Sequence, residues 1–398
     1  MRRQQRAVFV TGLAFLMVVG LCGCWSSVEL NNRAFATAML VDLGENGDTV
    51  LSISFPLATR MVPGQTGGTG ENKGQPFTYV TKRAENISQA FRLIQLDTSR
   101  VISFGQTRII IIGKRLAEQG IDNVIEFVNR QPAFHLSANL FITPGKVEEI
   151  QKTPMVFERL TSTILKKYVA QHITLDTTVK DFILGLYEGG DILVPLLSFT
   201  LQPEVEVEKP EKNRWMGSGG AAIFSNGRMS KIKLSKEELQ GALWISSQLK
   251  NYIASVYSPT DGKEVSCVLE GISSKINPSV KNGKVSFTIK SKATGYILTS
   301  LSDLDLKDEK NIRKIEQILD QDLEKRFDAV LSKTRKASSD AFLMNQHLKW
   351  RHPKIWESKK REWKSYYATE LPINISVDIS ITRSGGVYRS VNNLETHR

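Results

Sequence analysis

The first twenty-four residues decide where this chain folds, and therefore what chemistry it can use to hold itself together. Arg2, Arg3 and Arg6 form a short basic stretch, and Ala7 to Leu21 is almost wholly apolar, with Thr11 its one polar side chain. Leu21-Cys22-Gly23-Cys24 follows. That order of basic, apolar and small residues is an export signal and stands outside the folded body. The Leu-x-Gly-Cys ending adds chemistry. A thiol can be alkylated to a diacylglycerol thioether, and the small Gly23 gives a peptidase access to the bond before Cys24. The expectation is removal of residues 1–23 and a mature chain that begins at a lipidated Cys24. Two other readings are an uncleaved transmembrane anchor and ordinary cleavage without lipid. A span needs about 20 apolar residues and this run is shorter, while Cys24 stands where the lipid motif requires it. Cys22, two residues earlier, is an unusual neighbour. Each buried methylene of an acyl chain such as palmitate contributes about 0.8 kcal/mol, and two chains hold firmly where one binds marginally.

Export limits the cross-links. The chain has three cysteines. Cys22 leaves with the signal and Cys24 carries lipid, so Cys267 is the one free thiol expected. No intramolecular disulfide and no cysteine-built zinc site follow from that count, and Cys267 reads as a core residue of a strand. Removing Arg2, Arg3 and Arg6 lowers the net charge from +12 to +9. A basic exported body suits anionic head groups and wall polymers; nucleic acid is not an expected partner. The densest basic stretch, Lys349 to Lys364, is interleaved with Trp350, Trp356 and Trp363. It is either a solvated, partly packed face or a patch facing a membrane or partner.

At 398 residues and 41% apolar, the chain can build two or three domains of about 150 residues each. Ala34–Asp42 and Thr49–Ala58 read as a hairpin across the turn residues Gly44 to Asp48. Pro63–Gln75 is a glycine-rich loop without phosphate-loop spacing. Helices are expected at Ala84–Leu96, Leu116–Asn129, Met155–Val169 and Thr177–Tyr187, and strands at Thr107–Ile112, Ser137–Ile142 and Leu193–Thr200. Gln202–Arg214, polar and carrying Pro203 and Pro210, is the clearest linker. Beyond it Asn226-Gly227 predicts a hairpin between Gly219–Phe224 and Arg228–Lys233. Ser235, with Glu238 three residues on, predicts a capped helix to Leu249. Lys263–Ile276 and Lys284–Lys292 read as strands around Asn282-Gly283. Ile312, Ile315, Leu319, Leu323, Phe327 and Val330 form one apolar stripe of a long helix, whose default role is packing on a sheet, the alternative being a coiled-coil seam to a partner. Helices at Asp340–Trp350 and Glu357–Tyr367 are broken at Pro353, and Leu371–Thr382 is an alternating strand with Ile373, Ile375, Val377, Ile379 and Ile381 on one side. No internal repeat appears. The expected units are 24–201, a linker at 202–214, 215–300, 301–388 and a polar tail at 389–398.

Catalytic and metal motifs do not emerge. His135, His172, His347, His352 and His397 lack His-Glu-x-x-His spacing, and there is no Gly-x-Ser-x-Gly elbow. Pro353 separates His347 from His352 and argues against a shared metal. The sequons at Asn86 and Asn374 read as coincidence in a bacterial lipoprotein. No catalytic residue and no cofactor is expected.

Gly23-Cys24-Trp25-Ser26-Ser27-Val28-Glu29, followed by the strand ending Val41-Asp42, resembles the start of the Ger(x)C spore germination lipoproteins, the C subunits of germinant receptors. Gly105 to Gly120 looks like that family's strand-then-helix segment. Gly219 to Phe224 is similar to the start of its second domain, and Asp340, Arg351-His352-Pro353, Trp356, Trp363 and the closing strand to Gly385 resemble its C-terminal signature. The likeness covers nearly the whole mature chain; Ser26 departs from the aspartate usual after the tryptophan. The resemblance implies an α+β fold of three domains, each a mainly antiparallel or mixed sheet packed with helices. It implies a non-enzymatic subunit on the outer face of the spore inner membrane, working with multispanning A and B subunits to start germination when nutrients appear. Only Cys24, as the lipid attachment position, carries over as a functional residue. Trp356 and Trp363 are candidates for the partner surface, because aromatics are enriched at interface cores; the alternative is that both are core.

Two other functions compete. A solute-binding lipoprotein of a transporter would have two α/β lobes around a deep cleft, and the second half here has too many hairpin signals and too little βαβ alternation for that. A wall hydrolase would need facing carboxylates or a metal.

Overall fold

The computed structural model describes residues 29–57, 76–153, 158–187, 191–201 and 214–383, with a few single positions besides. The expected export signal apart from residues 4, 5 and 12, with Gly23 and Cys24, the Pro63–Gln75 loop, residues 202–213 of the linker and the 389–398 tail lie outside the described residues.

The organising element is an eight-stranded mixed sheet. In chain order it contains β2 (Ala38–Leu43), β3 (Thr49–Pro56), β4 (Phe77–Ala84), β6 (Ile109–Gly113), β7 (Asn139–Thr143), β8 (Ile192–Leu201), β9 (Arg214–Ser225) and β10 (Arg228–Leu234). Its spatial order is β10-β9-β8-β7-β6-β2-β3-β4, with β8, β7, β6 and β2 parallel and the outer strands antiparallel. The parallel centre is buried on both faces, as near-continuous apolar strands require. Ile109 to Ile112 illustrates this. Ile110 and Ile112 enter one core with Met39, Val41, Leu140 and Ile142, while Ile109 and Ile111 enter another with Leu40, Phe141 and Leu165. The first core is covered by α1 (Ile87–Leu96), α2 (Lys114–Gln119), α3 (Asp122–Arg130) and α6 (Val179–Tyr187); α4 (Glu148–Lys152) and α5 (Thr161–Ala170) cover the second. A short parallel pair, β1 (Arg33–Phe35) with β5 (Val101–Ser103), lies beside β3.

The single helix expected over Leu116–Asn129 is two. Gly120 at φ 120° turns the chain between α2 and α3, a conformation glycine adopts without steric cost. Both Asn-Gly turns are as expected, with φ of 54° and 72° at Asn226-Gly227 and 50° and 74° at Asn282-Gly283, the positive pair that a two-residue hairpin favours.

The second sheet has the order β11-β12-β13-β14, formed by β11 (Tyr252–Tyr257), β12 (Glu264–Lys281), β13 (Lys284–Ser300) and β14 (Ile373–Arg383). Two helices pack on its inner face. In α7 (Lys236–Ile245), Ser235 accepts from the Glu238 amide and the Glu238 carboxylate accepts from the Ser235 amide, closing the capping box. In α8 (Glu309–Lys336), Ile315, Leu319, Leu323, Phe327 and Val330 are all 2% exposed or less, so the apolar stripe is sheet-facing. Three short helices, α9 (Met344–Arg351), α10 (Pro353–Lys359) and α11 (Trp363–Thr369), lead to β14. Pro353 opens α10 at its first position, where its missing N–H costs nothing.

Two pairings run across the boundaries drawn on the sequence. β9 and β10, beyond the linker, join the sheet of the first 201 residues through β8. β14 runs parallel to β13, Phe287 opposite Ile373 through Tyr296 opposite Arg383, so the C-terminal strand completes the sheet begun at residue 252. Helix α7 contacts both β9 and β12 and so bridges the two sheets.

Candidate functional site

The α+β expectation holds, and the residues that tie its sheets together form a buried polar joint. Its first member is Asp191, 4% exposed, immediately before β8. One carboxylate oxygen meets the Lys364 ammonium at 2.8 Å and accepts from the Asn226 amide; the other accepts from the Asp340 amide at 2.9 Å. Lys364, in the first turn of α11, also donates to Ser225 Oγ and to the Asn226 side chain. Ser339 Oγ donates to the Phe224 carbonyl at 2.6 Å and Ser225 Oγ to the Ser338 carbonyl at 3.0 Å. The β9–β10 turn is thus gripped by the segment after α8 and by α11.

Asp340 is the centre of that segment. Its carboxylate accepts from the Met344 and Asn345 amides, capping the first turn of α9, and from Trp363 Nε1 at 2.8 Å. Ser338 at φ 49° and Leu343 at φ 54° wind the chain tightly around it, both in the left-handed region that non-glycine residues rarely occupy. Burial lifts the Asp340 carboxyl to about 7, against the pull of its three hydrogen bonds, with Asp191 adding to the rise. Burial likewise raises Asp191, opposed by Lys364.

Trp356 and Trp363, the candidates for a partner surface, are 9% and 4% exposed. Their rings meet edge to face at 5.5 Å, and Trp363 also packs on Phe287 of β13. They hold the joint to the second sheet from inside; the tryptophan of this segment that faces solvent is Trp350, 70% exposed. Helical spacing on short segments did not separate the inward from the outward tryptophans. Asp191, Asn226 and Lys364 were missed as partners because the contacts among them join residues 35 to 173 positions apart, from Asp191–Asn226 to Asp191–Lys364.

Beside the joint lies an open cleft of about 540 Å³, bordered by Asp176, Asp181, Gln248, Lys275, His347 and Arg351 among others. Asp181 accepts from the Thr178 amide and hydroxyl, Asp176 from the Asn139 side chain, and Gln248 from the Asp176 amide. Desolvation, with Arg351 nearby, lowers His347. Mixed charges on an open wall suit a polar surface contact. Cys267 is fully buried on β12 and its thiol is pushed up to about 12 by burial, which makes it inert. Among the described residues no three His, Cys, Asp or Glu side chains gather to hold a metal, and no helix is long and apolar enough to cross a membrane.

Residues 26–199 match the spore germination protein N-terminal domain, and residues 219–385 match the spore germination B3/GerAC-like C-terminal domain. Spore germination protein KC of Bacillus subtilis is 24% identical, over 96% of this chain and 96% of its own length. Spore germination protein B3 of the same species is 22% identical over 92% and 95% of the two chains. Spore germination protein GerQC of Bacillus cereus is 24% identical over 80% and 84%. The crystal structure of the GerBC protein has the same fold, with a TM-score of 0.54 at 16% identity over 90% of this chain and 99% of that one. The joint residues Asp340 and Trp363 fall inside the C-terminal match, and with both halves of the chain accounted for, the protein belongs to the Ger(x)C family of spore germination proteins.

Proposed function

We propose that this chain is the lipid-anchored C subunit of a nutrient germinant receptor, held on the outer face of the spore inner membrane through diacylglyceryl-Cys24. It works there by assembly or signalling with the multispanning A and B subunits and performs no catalysis of its own. The observation that carries this reading is the succession, in one chain, of an export signal ending Leu-Cys-Gly-Cys and the two germination domains. The anchor has a physical role in it. Acyl chains confine the body to a thin layer beside its membrane partners, and the raised effective concentration lets weak contacts suffice. The open, mixed-charge cleft beside the joint is the kind of surface on which such contacts form.

Deleting the gene and following nutrient-triggered germination of the spores tests the role. The expected result is a lost or slowed response to at least one nutrient, restored by the wild-type gene. Unchanged responses to every nutrient that the parent spores answer would overturn it. Mass spectrometry of the mature amino-terminal peptide tests the anchor: a diacylglyceryl adduct on Cys24 is expected, and a free thiol on secreted protein would contradict it.

A further inference from the structure

The anchor fixes which end of the fold meets the membrane, an inference that rests on the lipidation of Cys24. From Cys24 to Glu29, the first residue of the continuous described chain, there are five residue steps, which span at most about 18 Å even when fully extended. The body therefore begins within that distance of the lipid surface. The chain enters the fold through a short 3₁₀ turn, Leu30–Asn32, and then β1. Leu30 is 73% exposed.

Two other segments arrive at the same place. β1 pairs in parallel with β5, Arg33 opposite Val101, so the start of β5 stands beside the start of β1; Val101 is 50% exposed. The end of α1 is tied there by Gln95, whose side chain donates to the Arg100 carbonyl at 2.8 Å and accepts from the Ile102 amide at 2.9 Å. Leu96, the next residue, is 70% exposed. Three large apolar side chains from three segments are thus left in solvent at one end of the molecule. Arg92, one helical turn before Leu96 and hence on its face, and Arg100 are exposed beside them. The acidic Asp97 at this end is paired with Lys82, and Glu29 is exposed at the entry.

Exposed leucine and valine beside arginine is the chemistry of an interfacial lipid contact, in which apolar side chains enter the head-group boundary and cations meet anionic lipid. We propose that the end of the fold carrying Leu30, Leu96 and Val101, with Arg92 and Arg100 beside them, rests on the phospholipid bilayer that holds the anchor. The body is then oriented rather than free on its tether. Leu96 and Val101 are more than seventy residues from Cys24 in sequence, so their approach to lipid reports the fold's orientation and not the tether.

The test uses the full lipidated protein in vesicles of phosphatidylglycerol and phosphatidylethanolamine containing lipid spin-labelled at the head group. Leu96→Cys, Val101→Cys and, as a reference on the exposed end of β11, Tyr257→Cys each receive a fluorescent label. Cys267 is buried and does not compete. Strong quenching at 96 and 101 with little at 257 is expected, and Arg92→Glu with Arg100→Glu should reduce it. Equal quenching at all three sites on vesicle-bound protein would overturn the orientation while leaving the anchor intact. Labelling of Cys24 itself, read by mass spectrometry together with protein that fails to float with the vesicles, would overturn the anchor and this inference with it.

Discussion

Asp340 accepts three hydrogen bonds in a site without solvent, and those bonds hold the start of α9 and the Trp363 ring in place. Asp340→Ala would leave two amides and an indole N–H unpaired and buried, a loss of about 3 kcal/mol, visible as a lowered unfolding midpoint of the protein in detergent. Its titration has a definite sign. The folded carboxyl, at about 7, lies above the ordinary value of 3.8, so its contribution to stability is fully present below the ordinary value and is lost as pH rises through about 7. The groups facing it are Asp191, which favours protonation, and Lys364, which holds Asp191. Lys364→Met would strand Asp191 as a buried, unpaired carboxylate and cost about 3 kcal/mol at neutral pH; the loss should shrink in acid as Asp191 takes a proton. A loss that stayed constant with pH would contradict the pairing. From the sequence, Trp363 stood out as one of the tryptophans in the basic stretch and Asp340 by resemblance, but the bond between them was not legible and Asp191 was not singled out at all, because what makes each matter is a partner supplied by a distant turn or helix.

At the scale of elements, several features read locally agree with the structure, while the single helix read over Leu116–Asn129 is divided at Gly120. The Asn-Gly turns, the Ser235–Glu238 cap and the α8 stripe are decided within a few residues of chain, and so is the alternation of β14. Elements decided by distant partners were missed: β4, whose residues align along β3 from Thr49 opposite Ala84 to Pro56 opposite Phe77, and the three-residue β5; β11 was passed over although its six residues alternate between exposed or half-buried and buried. The outer edge of β14 shows how such a strand is managed. Asp320 and Glu316, one turn apart on α8, accept from the Ile379 and Ile381 amides at 3.0 and 2.7 Å. Four residues of helix rise about 6 Å, nearly the distance between alternate strand residues, so two carboxylates cover two edge donors that would otherwise invite another strand. Burial, helped by Asp378, Glu324 and Glu316, raises Asp320 to about 6. Its contribution to stability is therefore fully present below 3.8 and lost as pH rises through about 6. Asp320→Asn keeps an accepting oxygen and removes the charge, so it should raise the thermal midpoint above pH 6 and flatten the pH dependence there; a lowered midpoint at neutral pH would count against this reading. Leu319→Ala, in the α8 stripe, should cost about 3 kcal/mol.

For the molecule as a whole, the two sheets are joined by α7 and by the polar joint, and both family matches contribute to that union: β8 comes from the first and β9, α7 and α11 from the second. The anchor is the part of this picture most open to direct trial. Cys24→Ala at the native locus removes the thiol that the proposed anchor requires and changes no other residue. The measurement is the fraction of the variant in the spore membrane together with the rate of nutrient-triggered germination. Folded protein at normal abundance, released from the membrane, with a blunted germination response is the predicted result. Full membrane retention with wild-type germination would contradict it.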